Sequence, residues 1–256
     1  MSRNLRKWFD FKNQGEDKVQ LYFYGDIVMD SWDRWGDDDK YPQMVADALK
    51  EANGKPLEIF INSGGGSAFA GHAIYNILSR YNAKKIVRVD GLAASAASVI
   101  AMAGDEIHIP GSAYLMIHKP WTSCFAKNAS EFRKVADTLD IIEEGMISVY
   151  EKKLAEGVDI ETIKELVAAE TWLTGEDAAK YFDIIVEKAE PVFAYASEFF
   201  DTYKNAPRKF IDAEESKRDE IKKQEHSKQE FNMLIEELEL ISSFIFIKKV
   251  EELKNE

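Results

Sequence analysis

LEIFINSGGGSAFAGHAIYNIL, residues 57–78, contains the pattern that decides the fold of this 256-residue chain. A short apolar run, Leu57–Ile61, leads into three consecutive glycines, and a helical pattern follows at Ala68–Leu78. A second strand is predicted at Lys84–Val89. Because a strand, a glycine loop, a helix and a strand in this order are typical of a parallel crossover unit, the sequence predicts an α/β protein.

The same unit repeats along the chain. An alanine-rich helix is predicted from about Ser95 to Ala103, followed by strands at Glu106–Ile109 and Tyr114–Ile117. Apolar residues recur every three to five positions over Asn128–Glu156, which predicts one long amphipathic helix that projects from the core. The remaining predicted elements are a strand at 19–27, helices at 43–53 and 160–169, a short helix with Thr174 as its N-cap, and a strand at 184–186.

The character of the sequence changes near residue 206. Residues 206–230 are almost wholly polar, and apolar residues at three-four spacing follow at Phe231, Leu234, Leu238, Ile241 and Ile245. This spacing indicates a coiled-coil-like seam of about two heptads. We therefore expect a domain of residues 1–206 and a helical extension of residues 207–256. The extension either packs on its own domain or mediates self-association or scaffold binding.

Composition excludes several classes of protein. The formal net charge of −13 argues against sequence-independent nucleic-acid binding, which needs a positive surface. The single cysteine, Cys124, excludes an intrachain disulfide framework. The first twenty residues lack the apolar stretch of a secretory signal, and no run reaches the roughly 18 apolar residues of a membrane span. We expect a soluble, cytoplasmic protein that is not bound to a membrane.

We expect neither a metal nor a cofactor. The acidic stretch 31–40 lacks the oxygen-ligand spacing of an EF-hand loop. The glycine loop at 64–66 can direct backbone amides at a negative oxygen, but it lacks the lysine and hydroxyl of a P-loop and the spaced glycines of a dinucleotide fingerprint. The loop therefore favours an oxyanion site, although alone it does not define one.

Two serines are candidates for a nucleophile. Ser95 lies at a predicted strand-to-helix junction, with the amide of Ala96 beside it, and this geometry suits an activated hydroxyl. Serine at such a position also commonly caps a helix, and the residue alone leaves both roles open. Ser98 lies one turn inside the helix, where a packing role is expected.

One of the four histidines is the preferred base. His118 ends an apolar strand immediately before Lys119, which places its imidazole at a strand edge. His72 lies in a predicted helix, His108 alternates within a strand and His226 falls in the polar extension, so each of these is expected to be structural or solvated. An orienting carboxylate should follow His118 in the chain, and Glu170 opens a predicted loop after a helix.

Three motifs together resemble the ClpP family of serine proteases. The family pattern is an asparagine-serine-proline-glycine-glycine loop, a glycine-x-alanine-serine segment and a methionine-isoleucine-histidine-glutamine-proline segment. This chain has Asn62–Gly66, Gly91–Ser95 and Met116–Pro120 in the same order and spacing, and the likeness covers roughly Leu21–Glu187. Gly64 stands where the family usually has proline.

The resemblance implies specific roles for residues of this chain. Ser95 would be the nucleophile, His118 the general base, and the amides of Gly66 and Ala96 the oxyanion hole. The neighbouring Gly65 and Ser67 would bind substrate. The acid aligns at Glu170, where the family has aspartate, and Asp183 is the alternative.

The resemblance also implies an architecture and partners. The fold would be a ClpP/crotonase-like spiral of β-β-α crossover units, with the long helix mediating contacts in heptameric or stacked rings. The added extension resembles phage and prophage head-maturation proteases, whose substrates would be capsid or scaffold proteins. The alternatives are a housekeeping-type protease that degrades unfolded proteins with an ATPase unfoldase, a crotonase-type acyl-CoA enzyme, and an inactive ring-forming scaffold.

Overall fold

A computed structural model describes residues 18–33, 39–125, 128–188 and 202–206. The predicted extension at 207–256, His226 and the middle of the acidic stretch lie outside these residues. The elements are, in chain order, β1 (Val19–Tyr24), α1 (Pro42–Ala52), β2 (Leu57–Ser63), α2 (Ala68–Ser79), β3 (Lys85–Ala94), α3 (Ala96–Ala101), β4 (Glu106–Pro110), β5 (Tyr114–Ile117), α4 (Ala129–Glu151), α5 (Ile160–Ala168), β6 (Thr171–Thr174), α6 (Gly175–Ala178) and β7 (Ile185–Glu187).

The predicted α/β class and parallel sheet are confirmed. Strands β1, β2, β3, β4 and β7 lie side by side in that order, and each neighbouring pair is parallel. Strand β3 is longer than predicted because its second half, through Gly91 and Ala94, is held by tertiary pairing rather than by strand propensity.

The two halves of β3 pair with different strands. Ile86–Arg88 pair with β4, whereas Leu92–Ala94 pair with Tyr114–Met116 of β5. Both pairings are parallel, so β3 and β5 end at the same edge of the sheet. This edge receives the residues that follow the two strands, Ser95 and His118.

Helix α3 is buried along its whole length. Its six residues, mostly small, pack between the sheet and neighbouring helices, and all are inaccessible. A Cβ atom at Gly71 of α2 would lie 2.9 Å from the Cβ of Ala96, so the two helices approach more closely than a side chain at Gly71 would allow. The close approach fixes the position of the turn that precedes α3.

Helix α4 confirms the predicted long helix, although it ends earlier than predicted. Its buried residues are confined to the last turns, from Met146 to Tyr150, while Phe132 and Ile141 nearer its start are more than half exposed. The prediction that it extends to Glu156 is wrong because the chain turns after Glu151, and Leu154 then forms an antiparallel bridge with Phe182.

None of the helices in the described ranges is both long enough and apolar enough to cross a membrane.

Strand β6 was not expected from the sequence. The residues after Glu170 are predicted as a loop, but Thr171–Thr174 pair antiparallel with β5, from Ile117↔Thr171 to Tyr114↔Thr174. The segment contains residues that favour strands, but four residues are too short for a periodic signal. The pairing places Glu170 opposite the end of β5.

Thr174 caps α6 as predicted, since its side chain accepts a hydrogen bond from the amide of Asp177.

Ile59 tests the central packing of the sheet. The residue is 0% exposed on β2, between β1 and β3. We expect Ile59→Ala to lower the free energy of unfolding by roughly 2–5 kcal/mol and Ile59→Val by about 0.5–1.5 kcal/mol, because the loss grows with the cavity left behind. Urea unfolding at one fixed protein concentration measures both values. Equal, small losses for the two variants would contradict this packing.

Candidate active site

Ser95 occupies a strained turn between β3 and α3. Its backbone has φ 53° and ψ −122°, an unusual conformation for any residue other than glycine. The turn is held by the amide of Ser95, which donates to the carbonyl oxygen of Met116 at 2.9 Å. Although Ser95 is the N-cap residue of α3, its side chain makes no capping hydrogen bond. The hydroxyl is therefore available for a partner other than the helix.

That partner is His118. The distance between His118 Nε2 and Ser95 Oγ is 2.7 Å, which is a hydrogen bond in a geometry suited to proton transfer. His118 is buried, and burial lowers the pKa of its imidazole, while the negative charge of Glu170 partly opposes this shift. The depressed pKa keeps the ring neutral near pH 7, as a general base requires.

Glu170 lies within electrostatic reach of His118 but does not contact it directly. Among the described residues, the carboxylate makes no hydrogen bond to the imidazole; its Oε1 instead accepts from the amide of Asn205 at 2.6 Å. Glu170 has φ 51°, a left-handed conformation that costs a residue with a side chain about 1–2 kcal/mol. Asp183 is exposed, and its amide donates to the carbonyl oxygen of Lys153, away from this site.

The glycine loop approaches Ser95 so closely that a side chain would not fit. A Cβ atom at Gly65, which has φ +102°, would lie 2.7 Å from both the carbonyl oxygen of Ala94 and Ser95 Cβ. The amide of Gly65 donates to Ser63 Oγ, and its carbonyl accepts from Ile27. Gly65 therefore uses both backbone groups within the protein, and its predicted binding of substrate stays a prediction.

Two amides beside the nucleophile have no acceptor. Within the described residues, neither the amide of Gly66 nor that of Ala96 donates a hydrogen bond. Gly66 lies opposite Ile27 in a parallel bridge. The backbone groups of Ile27 are hydrogen-bonded to the residues on either side of Gly66, namely Gly65 and Ser67, and not to Gly66 itself. The two amides are thus available for an oxyanion, and their assignment as an oxyanion hole stays a prediction.

A cavity of about 620 Å³ opens between Ser95 and α4. Apolar side chains form much of its wall, including Phe69, Val99, Leu139 and Met146, and Ser67 lies at its rim after capping α2. The dimensions and lining suit a large apolar side chain of a bound ligand.

The structure shows the surroundings of the other candidate serine and of two other histidines. Ser98 is buried as predicted, and its hydroxyl contacts the carbonyl oxygen of Ser95 and the hydroxyl of Tyr150. His108 bonds Glu187, in agreement with a structural role. His72, expected to be structural or solvated, lines the cavity, and its Nε2 is buried with no partner among the described residues.

Sequence reasoning missed Tyr203. The residue is 6% exposed, and its ring lies edge-on to that of His118, with 5.2 Å between the ring centroids. Its hydroxyl donates to the carbonyl oxygen of Gly64 at 2.5 Å. No motif surrounds Tyr203 in the sequence, and it follows the last predicted strand, so only the tertiary fold reveals that it belongs to the site.

Known proteins share both the sequence pattern and the fold. Residues 36–188 match the family model described as Clp protease. The chain is 28% identical over 145 residues to the ATP-dependent Clp protease proteolytic subunit 1 of Protochlamydia amoebophila, covering 54% of this chain and 69% of that protein. It is 33% identical over 134 residues to the ATP-dependent Clp protease proteolytic subunit of Ligilactobacillus salivarius, covering 50% and 64% respectively.

A solved structure of a ClpP1 mutant from Listeria monocytogenes has the same fold. Its TM-score is 0.52 at 23% sequence identity, and the match covers 66% of this chain and 92% of that one. The chain spans about two thirds of the length of the curated relatives it matches. Because the family model covers more than half of the chain, including the glycine loop, Ser95, His118 and Glu170, this protein belongs to the Clp protease family.

Proposed function

We propose that the protein is a serine endopeptidase in which Ser95 is the nucleophile, His118 the general base and Glu170 the acid that orients the base. The observation that carries this proposal is the 2.7 Å contact between His118 Nε2 and Ser95 Oγ, made by a serine in a strained turn. A serine that only capped α3 would direct its hydroxyl at the helix, and Ser95 does not.

The geometry supports acyl transfer through a covalent intermediate. His118 accepts the hydroxyl proton as Ser95 Oγ bonds to the carbonyl carbon of a peptide. The amides of Gly66 and Ala96 then stabilise the oxyanion, each contributing roughly 3 kcal/mol. His118 passes the proton to the leaving amine, and a water molecule, deprotonated by the same imidazole, releases the acyl group from Ser95.

The negative charge of Glu170 stabilises the imidazolium that forms during both steps. Its Coulombic effect on the pKa of His118 supports this role, and so does its position at the start of β6, beside the end of β5. A direct hydrogen bond to the imidazole is absent from the described residues, so Glu170 acts here through its charge.

Exposed apolar residues on α4 support assembly into a ring of identical subunits. Phe132 is 53% exposed and Ile141 is 68% exposed on the part of the helix that packs least on its own core. Such residues favour burial against another surface. We propose that α4 lies between subunits, and that the enclosed sites accept unfolded chains, with or without an ATPase partner.

The substrate class has two candidates. The polar and amphipathic extension at 207–256 favours capsid or scaffold proteins of a phage or prophage, and the relatives named as ATP-dependent proteolytic subunits favour general degradation of unfolded chains. A crotonase-type reaction on an acyl-CoA is disfavoured because its oxyanion site has no need of a serine bonded to a histidine. An inactive scaffold is disfavoured by the same contact.

Labelling with a fluorophosphonate tests the nucleophile. We expect one adduct, on Ser95, because only an activated serine reacts at a useful rate. Ser95→Ala should abolish labelling, and His118→Ala should slow it by about 10³-fold or more. Intact-mass measurement followed by peptide mapping locates the adduct, with Ser148→Ala and His108→Ala as controls that keep the wild-type rate. A crotonase-type or inactive protein would leave Ser95 unlabelled.

The pH dependence of peptide hydrolysis tests the base and the acid. His118 must be neutral to act, so kcat/KM should fall as the pH drops through its depressed pKa, with a midpoint below 6.5. Glu170→Gln removes the charge that raises this pKa, so it should move the midpoint to lower pH and reduce kcat by about tenfold for each ~1.4 kcal/mol of imidazolium stabilisation that is lost.

The matched control is Asp183→Asn, which should change neither the pH midpoint of kcat/KM nor kcat. A shift of the midpoint with Asp183→Asn and none with Glu170→Gln would assign the acid to Asp183 instead.

A cleavage assay separates the two substrate classes. We expect the purified protein to cut the capsid or scaffold proteins of a matching phage set without ATP, whereas Ser95→Ala leaves them intact. Gel electrophoresis and mass spectrometry identify the products. If these proteins stay whole while an unfolded protein is cut in the presence of an ATPase partner, general degradation is the function.

A further inference from the structure

Residues Thr202–Ala206 contact three parts of the active site at once. Tyr203 reaches the glycine loop through Gly64 and packs against His118, and Asn205 binds Glu170. These residues follow the region matched by the family model, which ends at residue 188. The segment therefore lies outside the region that the family model matches.

Asn205 holds the backbone on both sides of the acid's Cα. Helix α5 ends at Ala168, which leaves carbonyl groups at its C-terminus that need donors. The side-chain amide of Asn205 donates to the carbonyl oxygens of Ala169 at 2.9 Å and Glu170 at 3.1 Å. These bonds stabilise the left-handed conformation of Glu170, which sets the direction of its side chain.

Asn205 also binds the carboxylate itself. Its main-chain amide donates to Glu170 Oε1 at 2.6 Å, a short bond to a charged acceptor. One oxygen of the carboxylate is thereby fixed, and the negative charge that acts on His118 keeps a constant position.

Tyr203 shapes the surroundings of the base. Its ring meets His118 and Trp172 edge-on, at centroid distances of 5.2 Å and 5.9 Å. Burial raises the pKa of the Tyr203 phenol, so the hydroxyl stays protonated and donates to Gly64. The ring keeps water from one side of His118, and loss of water is what lowers the pKa of that imidazole.

We propose that Tyr203 and Asn205 are positioning residues of the catalytic acid–base pair, with Asn205 fixing Glu170 and Tyr203 desolvating His118. The proposal rests on the function proposed above, because it requires Glu170 to be the acid.

The two residues should move the pH profile in opposite directions. Glu170 is the charged group that acts on His118. Burial raises the pKa of Tyr203, a side-chain hydrogen bond with Ser95 opposes that shift, and the charges of Asp26 and Glu170 raise the pKa further. Asn205→Ala removes the side-chain bonds to the carbonyl oxygens of Ala169 and Glu170, so the carboxylate is held less firmly and its attraction for the imidazolium weakens. The acid limb of kcat/KM should then move to lower pH. Tyr203→Ala admits water to His118, so the limb should move to higher pH.

Steady-state kinetics of the full chain on a small chromogenic peptide tests the proposal. We expect Asn205→Ala and Tyr203→Ala each to reduce kcat about tenfold or more, because both variants misplace catalytic groups. KM should stay within about twofold for Asn205→Ala, whereas Tyr203 lines the cavity, so the pH limb is the deciding readout for Tyr203→Ala. Tyr203→Phe keeps the ring beside His118, so the acid limb of kcat/KM should stay at its wild-type pH. Lys204→Ala, an exposed neighbour, is the matched control. Native mass measurement and far-UV circular dichroism check that each variant folds and assembles.

Two further variants, Asn205→Pro and the double variant Asn205→Ala/Glu170→Gln, distinguish positioning of Glu170 from a purely structural role of Asn205. Asn205→Pro removes the main-chain donor to Glu170 that Asn205→Ala keeps, so it should cause the larger shift of the limb. Combined with Glu170→Gln, Asn205→Ala should add no further shift, since there is then no charge to position.

Three outcomes would overturn the proposal. Unshifted limbs in folded variants, or an equal added shift in the Glu170→Gln background, would reduce the segment to a structural role. A rise in kcat with Tyr203→Ala would show instead that the segment blocks the site. If Glu170→Gln alone leaves both rate and limb unchanged, the acid assignment of the proposed function has failed, and this result is distinct from a failure confined to the Asn205 and Tyr203 variants.

Discussion

The site depends on one pairing, the parallel register of the second half of β3 with β5. Ala94 lies beside Met116, and the amide of the next residue, Ser95, donates back to the carbonyl oxygen of Met116. Because parallel strands end at a common edge, the residues that follow them meet there, and His118 needs only two more positions to reach Ser95 Oγ. A slip of one residue in this register would turn one of the two side chains to the opposite face.

Around this pairing the backbone adopts conformations that ordinary sequences avoid. Ser95 and Glu170 both have positive φ, and the glycine loop fits beside Ser95 only because Gly65 has no Cβ atom. The strain is offset by the buried elements on either side, notably the inaccessible helix α3 and the close contact of Gly71 with Ala96. The rigid core thus keeps Ser95, which is partly buried, in a conformation that a loop alone would not hold.

Much of this arrangement could be predicted from the sequence, because the signals are local. The glycine run, the junction before Ser95 and the strand before His118 can each be recognised from a few neighbouring residues. Strand β6 could not be predicted, since four residues carry no period and the pairing with β5 that stabilises it is distant in sequence. Tyr203 and the cavity-lining position of His72 were missed for the same reason: contacts across the fold determine them, and neither residue has a motif around it.

The contact between Tyr203 and Gly64 joins residues that are 139 positions apart. On a ribosome the chain emerges from its N-terminus, so the glycine loop, Ser95 and His118 are all made well before this contact can form. Until residues 203 and 205 leave the exit tunnel, His118 lacks the ring that covers one side and Glu170 lacks its amide donor. Under the proposed function, the site is complete only after residues 203 and 205 have been synthesised, so a nascent chain carries an incomplete site until then.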